Sequence, residues 1–313
     1  MPPSTLPIFI RMPGDIVGSP PYRATGCLMQ GLFLKGDRNA QQSFCDTVLN
    51  RPARGKLIFH ALTDHVLMTS IYADTMSSTD PIDASKGVMR EWDVGFWTAV
   101  RGGRVEREAD WQVYWLPSFL FVDSPSAMAS GREVYGYPKT AAGFENRRAA
   151  GHADPTVTLN VQHFPAFGPS RRPVTEPLVT IGHGGPGLVA PDMFSMILTA
   201  WDLIGGFVGD APIQHDGFHL PPWPSLSMPQ ILLQQVRDPV SIGRASVQSI
   251  VRVSPKTLKV TGAGLLHAPT VVDITPSASH PIAQTLGLSA SQEAELGFWI
   301  TQDFEVGAAE RLA

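Results

Sequence analysis

The sequence predicts an α+β fold that is mostly β, with long strands forming a barrel or a pair of curved sheets and a few helices outside. First, 28 prolines and 29 glycines are spread evenly over 313 residues and divide the chain into short segments separated by turns. Second, apolar and β-branched residues recur in runs typical of strands. Third, only 17% of the residues are charged, below the roughly 25% of ordinary soluble domains, which indicates a large core or extensive subunit contacts.

Eight segments are predicted as strands because they alternate apolar and polar residues or carry β-branched runs. They are Val66–Ala73, Val113–Val122, Thr156–Val161, Leu178–Ile181, Ile231–Val236, Ser246–Val253, Thr257–Leu266 and Leu296–Val306. In the last of them Leu296, Phe298 and Ile300 share one face, because side chains alternate across a strand.

Helices are expected at three places. Asn39 is a suitable N-cap for a helix over Ala40–Leu49, which Pro52 ends. A second helix is predicted over Met193–Ile204, and a shorter third one near Pro281–Leu286.

The whole chain, residues 1–313, is interpreted as one domain, because no Gly/Ser tract, charge block or repeat separates its halves. The net charge of −4 and a pI near 6.1 argue against nucleic acid as a partner, since no basic stripe is present to neutralise phosphates. No apolar run approaches the ~18 residues that span a bilayer, so no membrane association is expected.

The two cysteines, Cys27 and Cys45, sit among apolar residues and are interpreted as small buried hydrophobic side chains rather than a disulfide framework. The first residues lack a positive region followed by an apolar run and therefore do not resemble a secretory signal. We expect a reduced, cytoplasmic protein.

Lys139 is the most informative residue of the chain. It ends the stretch Gly131-Arg-Glu-Val-Tyr-Gly-Tyr-Pro-Lys139 and is one of only six lysines, most of which neighbour charged or flexible residues. A lysine in apolar surroundings has a lowered pKa, because its charged form loses hydration, and its neutral amine can form a Schiff base with a ketone. A snorkelling lysine with a buried stem and a solvated ammonium is the alternative.

The nine-residue stretch that ends at Lys139 resembles the active-site segment of the acetoacetate decarboxylase family, in which the lysine after Tyr-Pro forms the imine with a β-keto acid. The resemblance is strong over residues 119–144 and covers about residues 20–307 more loosely. It implies a closed β-barrel that encloses the lysine, chemistry without a cofactor, and a homo-oligomer.

The resemblance also implies further site residues, with clear departures from the family. Glu91 stands where the family places its acid/base glutamate, although it is equally interpreted as a surface partner of Arg90. Arg23 is the nearest counterpart of the arginine that binds the substrate carboxylate, and Met68 replaces a further acid. Thr140 replaces a second lysine that would lower the pKa of the nucleophile, so desolvation alone is expected to do so.

Tyr135 and Tyr137 are candidates for lining the substrate cavity, as are Trp92, Trp97 and Trp115, although aromatic residues in a barrel belong to the core by default. Glu133 is expected to pair with Arg132 or to cap backbone amides, with substrate contact as the alternative. His215 and His219 are four residues apart, but Gly217 and the prolines that follow disfavour the helix that a zinc site would need, so no metal is predicted.

These observations lead to one main hypothesis and two alternatives. The main hypothesis is a cofactor-independent lyase that decarboxylates a β-keto acid through an imine on Lys139, with Glu91 as acid/base. The first alternative is an aldolase-dehydratase that uses the same lysine on a keto acid or ketone. The second is a barrel that binds a small molecule without covalent chemistry.

Overall fold

A computed structural model of the chain describes residues 8–145, 156–184, 213–215, 218–220, 229–266 and 268–313. The strands of these residues are β1 (Tyr22–Lys35), β2 (Leu57–Ser78), β3 (Met89–Arg104), β4 (Gln112–Val122), β5 (Lys139–Glu145), β6 (Val157–His163), β7 (Val174–His183), β8 (Ile213–His215), β9 (Phe218–Leu220), β10 (Gln230–Arg237), β11 (Ala245–Val253), β12 (Pro255–Leu265), β13 (Thr270–Ile274), β14 (Ser291–Glu293), β15 (Leu296–Val306) and β16 (Glu310–Arg311).

Short helices connect the strands. They are α1 (Arg38–Cys45), α2 (Arg51–Ala53), α3 (Pro125–Ser130) and α4 (Ile282–Leu286), with π-helical turns at Asp46–Asn50 and Gly131–Tyr135 and 3₁₀ turns at Ala84–Lys86 and Glu108–Asp110. A helix after β1 is confirmed, but the prediction that Pro52 ends it is wrong, because helical turns continue without a break to α2, which contains Pro52. The prediction of Asn39 as its cap is also wrong, because the Asp37 side chain accepts the hydrogen bond from the Ala40 amide at 2.7 Å. The short third helix is confirmed, whereas Met193–Ile204 lies outside the described residues.

All eight predicted strands are present, with ends that differ by several residues in some cases. β1 and β3 were not predicted. In β1 the residues from Met29 to Leu34 are nearly all buried, so both faces are apolar and the alternation that reveals a strand is lost. His215 and His219 lie on the paired strands β8 and β9 rather than on a helix.

The expected closed barrel is wrong. Fourteen of the described strands form one sheet in the order β12-β15-β1-β2-β3-β4-β5-β6-β7-β13-β14, with β10, β11 and β16 attached beside β4, and β8 and β9 form a separate pair. Within the described part of the chain, no hydrogen-bonded ladder joins β12 to β14, so this sheet stays open. Most pairs are antiparallel, and β5 runs parallel to β4.

The two end strands explain why the sheet does not close. β12 carries the exposed charges of Lys256 and Lys259, and its register with β15 shifts twice. Bulges and edge lysines both disfavour pairing with a further strand. β14 is only three residues long and offers few backbone groups to a neighbour.

The sheet buries apolar side chains on both faces of its first four strands. One face packs against β6, β7, β13 and α4 and forms what we call the inner core, which includes Leu34, Val66, Met68, Phe96, Phe121, Leu159, Leu178, Val272 and Ile282. The other face forms a second core that includes Met29, Phe33, Leu67, Trp97, Leu120, Leu296, Phe298 and Ile300. The candidate site lies beside the second core.

Cys27 and Cys45 are buried free thiols, as predicted. Burial raises the pKa of each thiol to about 12, so neither thiol is ionised at neutral pH. No helix within the described ranges is long and apolar enough to cross a membrane.

Candidate active site

Strand β3 supplies two carboxylates to one face of the sheet. Because side chains alternate along a strand, Glu91, Asp93 and Trp97 point to the face of the second core. Trp92 and Phe96 point to the opposite face and belong to the inner core. The i, i+2 spacing of Glu91 and Asp93 therefore places both carboxyl groups in the same cavity.

Lys139 reaches this face from a tightly wound segment. The Ser124 hydroxyl accepts from the Ala127 amide and caps α3, and the π-helical turn that follows ends at Gly136. The Lys139 amide then donates to the Tyr137 carbonyl across Pro138 at 2.8 Å. Lys139 is the first residue of β5 and pairs with Leu120 of β4, so it is presented from ordered backbone.

Two glycines of the sequence motif are required by this geometry. Gly136 has a φ of +82°, and a Cβ there would lie 2.6 Å from the backbone of Gln234. A Cβ on Gly131 would lie 2.7 Å from the Cδ atom of Lys139. The first glycine therefore permits the turn, and the second leaves space for the lysine stem.

The Lys139 ammonium is held by both carboxylates. Its Nζ atom lies 2.7 Å from Oε1 of Glu91 and 3.3 Å from Oδ2 of Asp93. The side chains of Lys139 and Glu91 are only 11% and 6% exposed. The Arg132 guanidinium donates to the Lys139 carbonyl at 2.9 Å and so fixes the backbone of the same residue.

The expected lowering of the Lys139 pKa is wrong for this arrangement. Burial acts to lower the pKa of Lys139, but the negative charges of Asp93 and Glu91 outweigh burial and raise the pKa above its ordinary value near 10.5. At pH 7 such an amine is neutral in less than about one molecule in a thousand. Desolvation alone therefore does not give Lys139 a neutral amine, and a neutral amine would require transfer of its proton to a neighbouring carboxylate.

Ionisation of Asp93 is disfavoured by its surroundings. Burial and repulsion from Glu91 raise the pKa of Asp93 well above its ordinary value, and attraction by Lys139 only partly opposes them. The three groups share protons as one coupled set, which carries no net positive charge when at least one carboxyl group is ionised.

The three groups lie in a cavity of about 600 Å³, a size typical of small-molecule sites. Most of its wall is apolar and includes Met29, Leu67, Ile71, Trp97, Leu120 and Phe304. The Tyr137 hydroxyl donates to the Gln230 side chain within this wall. Burial raises the pKa of Tyr137 above its usual range, with a further contribution from Asp93 and Glu91, so the phenol remains a neutral donor.

The structure brings some of the predicted site residues to this cavity. Tyr135 and Tyr137 line it together with Lys139 and Glu91. Glu133 is exposed at its surface turn, and its backbone carbonyl accepts from Gln234.

Arg23 and Met68 do not reach the cavity, which corrects both predictions. The Arg23 side chain is 50% exposed and forms an ion pair with Glu305 at 3.0 Å. Met68 is 1% exposed in the inner core, on the opposite side of β2 from Leu67 and Thr69, which do line the cavity. A one-residue difference in register moves a side chain to the other face of a strand.

Sequence reasoning missed Asp93 and Gln230. Asp93 follows Glu91 by two positions, and recognising β3 as a strand would have placed it beside Glu91. Gln230 gives no local signal, because it reaches the cavity only through the pairing of β10 with Trp115 of β4. Trp97 and Trp115 line the cavity, whereas Trp92 stacks on Phe144 in the inner core.

No family model and no curated protein sequence matches the chain, but solved structures do. The structure of acetoacetate decarboxylase from Legionella pneumophila matches with a TM-score of 0.61 and 14% identity, covering 99% of this chain and 93% of that chain. The chain has the acetoacetate decarboxylase-like fold. This fold was predicted from the segment that ends at Lys139, and the prediction is confirmed apart from the closed barrel.

Two further structures share the acetoacetate decarboxylase-like fold. An acetoacetate decarboxylase-like enzyme from Sphingomonas wittichii RW1 matches with a TM-score of 0.55 and 14% identity, over 96% of each chain. The enduracididine biosynthesis enzyme MppR, complexed with pyruvate, matches with a TM-score of 0.52 and 11% identity, over 96% of this chain and 93% of that chain.

Proposed function

We propose that this protein is a cofactor-independent carbon–carbon lyase in which Lys139 forms an imine with a carbonyl substrate. The observation that carries the proposal is the 2.7 Å contact between the Lys139 ammonium and the Glu91 carboxylate inside a mostly apolar cavity. A buried amine beside a group that can accept its proton is the arrangement that nucleophilic amine catalysis needs.

The proposed mechanism begins with transfer of a proton from Lys139 to Glu91. The neutral amine attacks the carbonyl carbon, a C–N bond forms, and the carbonyl oxygen takes up protons and leaves as water. The protonated imine then accepts the electron pair of a neighbouring C–C bond as that bond breaks. The resulting enamine is protonated at carbon, with Glu91 or Asp93 as the proton donor, and hydrolysis releases the amine.

Two reactions use this enamine. Decarboxylation of a β-keto acid is the activity that the sequence motif implies, and the first-mentioned structural neighbour is named as an acetoacetate decarboxylase. An aldol-type reaction is the second candidate. The pairing of Lys139 with two carboxylates favours it. These carboxylates compensate the ammonium, which therefore does not attract the carboxylate that a decarboxylation substrate must carry.

Borohydride trapping tests the proposal. The protein is incubated with acetoacetate, pyruvate and simple ketones and then reduced, and the peptides are mapped by mass spectrometry. We expect an adduct on Lys139, which is lost in Lys139→Met and kept in the matched variant Lys259→Met, since Lys259 is exposed on β12. Failure of every ketone to label Lys139 would support a non-covalent binding protein instead.

Glu91→Gln separates an acid/base role from a purely structural one. We expect turnover to fall by at least about a hundredfold, the usual contribution of a general acid or base. Measuring CO2 release against formation of a condensed or cleaved aldehyde product in the wild type then decides between the two reactions. Equal turnover of Glu91→Gln and wild type would contradict the proposed role.

A further inference from the structure

The cavity has little positive charge available for a substrate. Among its described lining residues the lysines are Lys139 and Lys86. Lys139 is held by Glu91 and Asp93, and the Lys86 ammonium lies 3.0 Å from Oδ1 of Asp83. Lys139 is therefore fully compensated by carboxylates of the protein. Lys86 shares Asp83 with Arg11, and its ammonium also donates to the Val17 carbonyl.

The residues outside the described ranges contain few basic side chains. Residues 185–228 contain neither lysine nor arginine. Outside the described ranges these two residue types occur only as Arg147 and Arg148, beyond the end of β5. A strand rises by about 3.3 Å per residue, so the run from Lys139 to Glu145 carries the chain about 20 Å along β5 before either arginine is reached.

A substrate carboxylate placed beside Lys139 would therefore be an uncompensated charge. The set formed by Lys139, Glu91 and Asp93 pairs one ammonium with two carboxyl groups and has no spare positive charge for a substrate. An anion added to it lies close to Glu91 and against apolar walls such as Leu67 and Ile71. Burying an unpaired charge is strongly unfavourable, whereas an uncharged ketone loses little hydration and gains apolar contacts.

We infer that the substrate of this cavity is an uncharged, mostly apolar ketone or aldehyde rather than a small keto acid. The inference rests on the proposed imine at Lys139 and specifies its carbonyl partner. The carbonyl carbon lies at Lys139, and the apolar body of the molecule packs against Met29, Leu67, Trp97 and Leu120.

An uncharged substrate also restricts the reaction, because it has no carboxylate to lose as CO2. The bond that breaks must then join the carbon beside the iminium to a carbon that bears a hydroxyl group. A carboxylate of the site takes the hydroxyl proton, the hydroxyl-bearing carbon leaves as an aldehyde, and the bonding pair moves into the iminium to form the enamine. Protonation and hydrolysis release the second carbonyl compound, so the step needs no oxidant, reductant or further reactant.

A matched pair of ligands tests the inference. 2-Octanone and 2-oxooctanoate have the same alkyl chain and differ only in a methyl or a carboxylate beside the carbonyl. We expect 2-octanone to bind the wild-type protein at least about tenfold more tightly, as measured by calorimetry and by the fluorescence of the cavity tryptophans Trp97 and Trp115. Acetone, which lacks the alkyl chain, should bind more weakly than 2-octanone.

Variants test the electrostatic reason. The double variant Glu91→Gln/Asp93→Asn removes both carboxylates that hold Lys139, so 2-oxooctanoate should gain at least about tenfold in affinity relative to 2-octanone. Glu305→Gln, the matched control, removes a carboxylate that pairs with Arg23 outside the cavity, and the ratio should stay unchanged. An unchanged ratio in the double variant would overturn the electrostatic argument.

The outcomes separate this inference from the proposed function. Equal or tighter binding of 2-oxooctanoate by the wild type overturns the inference, even if both compounds are trapped on Lys139. Preferred binding of 2-octanone without any borohydride adduct on Lys139 overturns the imine mechanism but supports an uncharged apolar ligand.

Discussion

Replacing Lys139 with methionine should destabilise the protein in a strongly pH-dependent way. Methionine keeps the length and apolar stem of lysine but removes the ammonium that lies 2.7 Å from Glu91. At that distance, with an effective dielectric constant near 20, the lost Coulomb attraction is about 6 kcal/mol. The stability of the variant falls by less than this Coulomb energy, because the Glu91 side chain can take up a proton and become neutral.

Proton uptake sets the size of the effect. Holding a carboxyl group protonated costs about 1.4 kcal/mol for each pH unit above the reference value near 4.3 of a glutamic acid. The variant should therefore lose about 4 kcal/mol of unfolding free energy at pH 7 and about 1 kcal/mol at pH 5. The sign follows because the folded variant binds about one more proton than the folded wild type, whereas unfolding releases that proton at neutral pH, so the stability lost through the mutation grows as the pH rises.

Urea unfolding of the wild type and Lys139→Met at both pH values measures this effect. Lys259→Met is the matched control, since Lys259 is exposed, and it should change the unfolding free energy by less than about 0.5 kcal/mol. A loss below about 1 kcal/mol that is equal at pH 5 and pH 7 would show that Glu91 remains charged without Lys139. The ion pair between Lys139 and Glu91 would then contribute little to the stability of the folded protein.

Three further predictions concern the geometry around the lysine. Gly136→Ala should lower the unfolding free energy by at least about 2 kcal/mol, because its Cβ would clash with backbone 2.6 Å away. Gly55→Ala is the control, since Gly55 has a similar φ of +76° but open space around it, and it should lower the unfolding free energy by only about 1 kcal/mol. Asp93→Asn should lower the pKa of Lys139, so that the pH of half-maximal borohydride trapping falls by about one unit or more; an unmoved midpoint would exclude Asp93 as the main cause of the raised pKa. Tyr137→Phe removes a cavity hydrogen bond and should cost about 1 kcal/mol in urea unfolding, and an unchanged stability would show that water replaces the hydroxyl.

The sequence predicted those parts of the fold and of the candidate site that depend on residues close together in the chain. The stretch from Gly131 to Lys139 indicated the fold and the candidate lysine, because it resembles the active-site segment of the acetoacetate decarboxylase family. The strand from Leu296 to Val306 was predicted with its faces correct, because it alternates. These features depend on neighbouring residues only.

The parts that could not be predicted depend on contacts between distant segments. Lys139 and Glu91 are 48 positions apart, and the charges that raise the pKa of Lys139 come from β3, a strand that the sequence pattern did not reveal. Met68 was assigned to the site because it stands in place of a further acid of the family, and nothing local shows that it lies on the opposite face of β2. The open sheet follows from bulges in β12, which a sequence pattern does not show.

A crystal structure of the protein after borohydride reduction with 2-octanone tests the central claim most directly. The account predicts continuous electron density from the Lys139 nitrogen to the ligand carbon, with Glu91 within hydrogen-bonding distance of that nitrogen. An unmodified Lys139, or a ligand attached elsewhere on the chain, would contradict it.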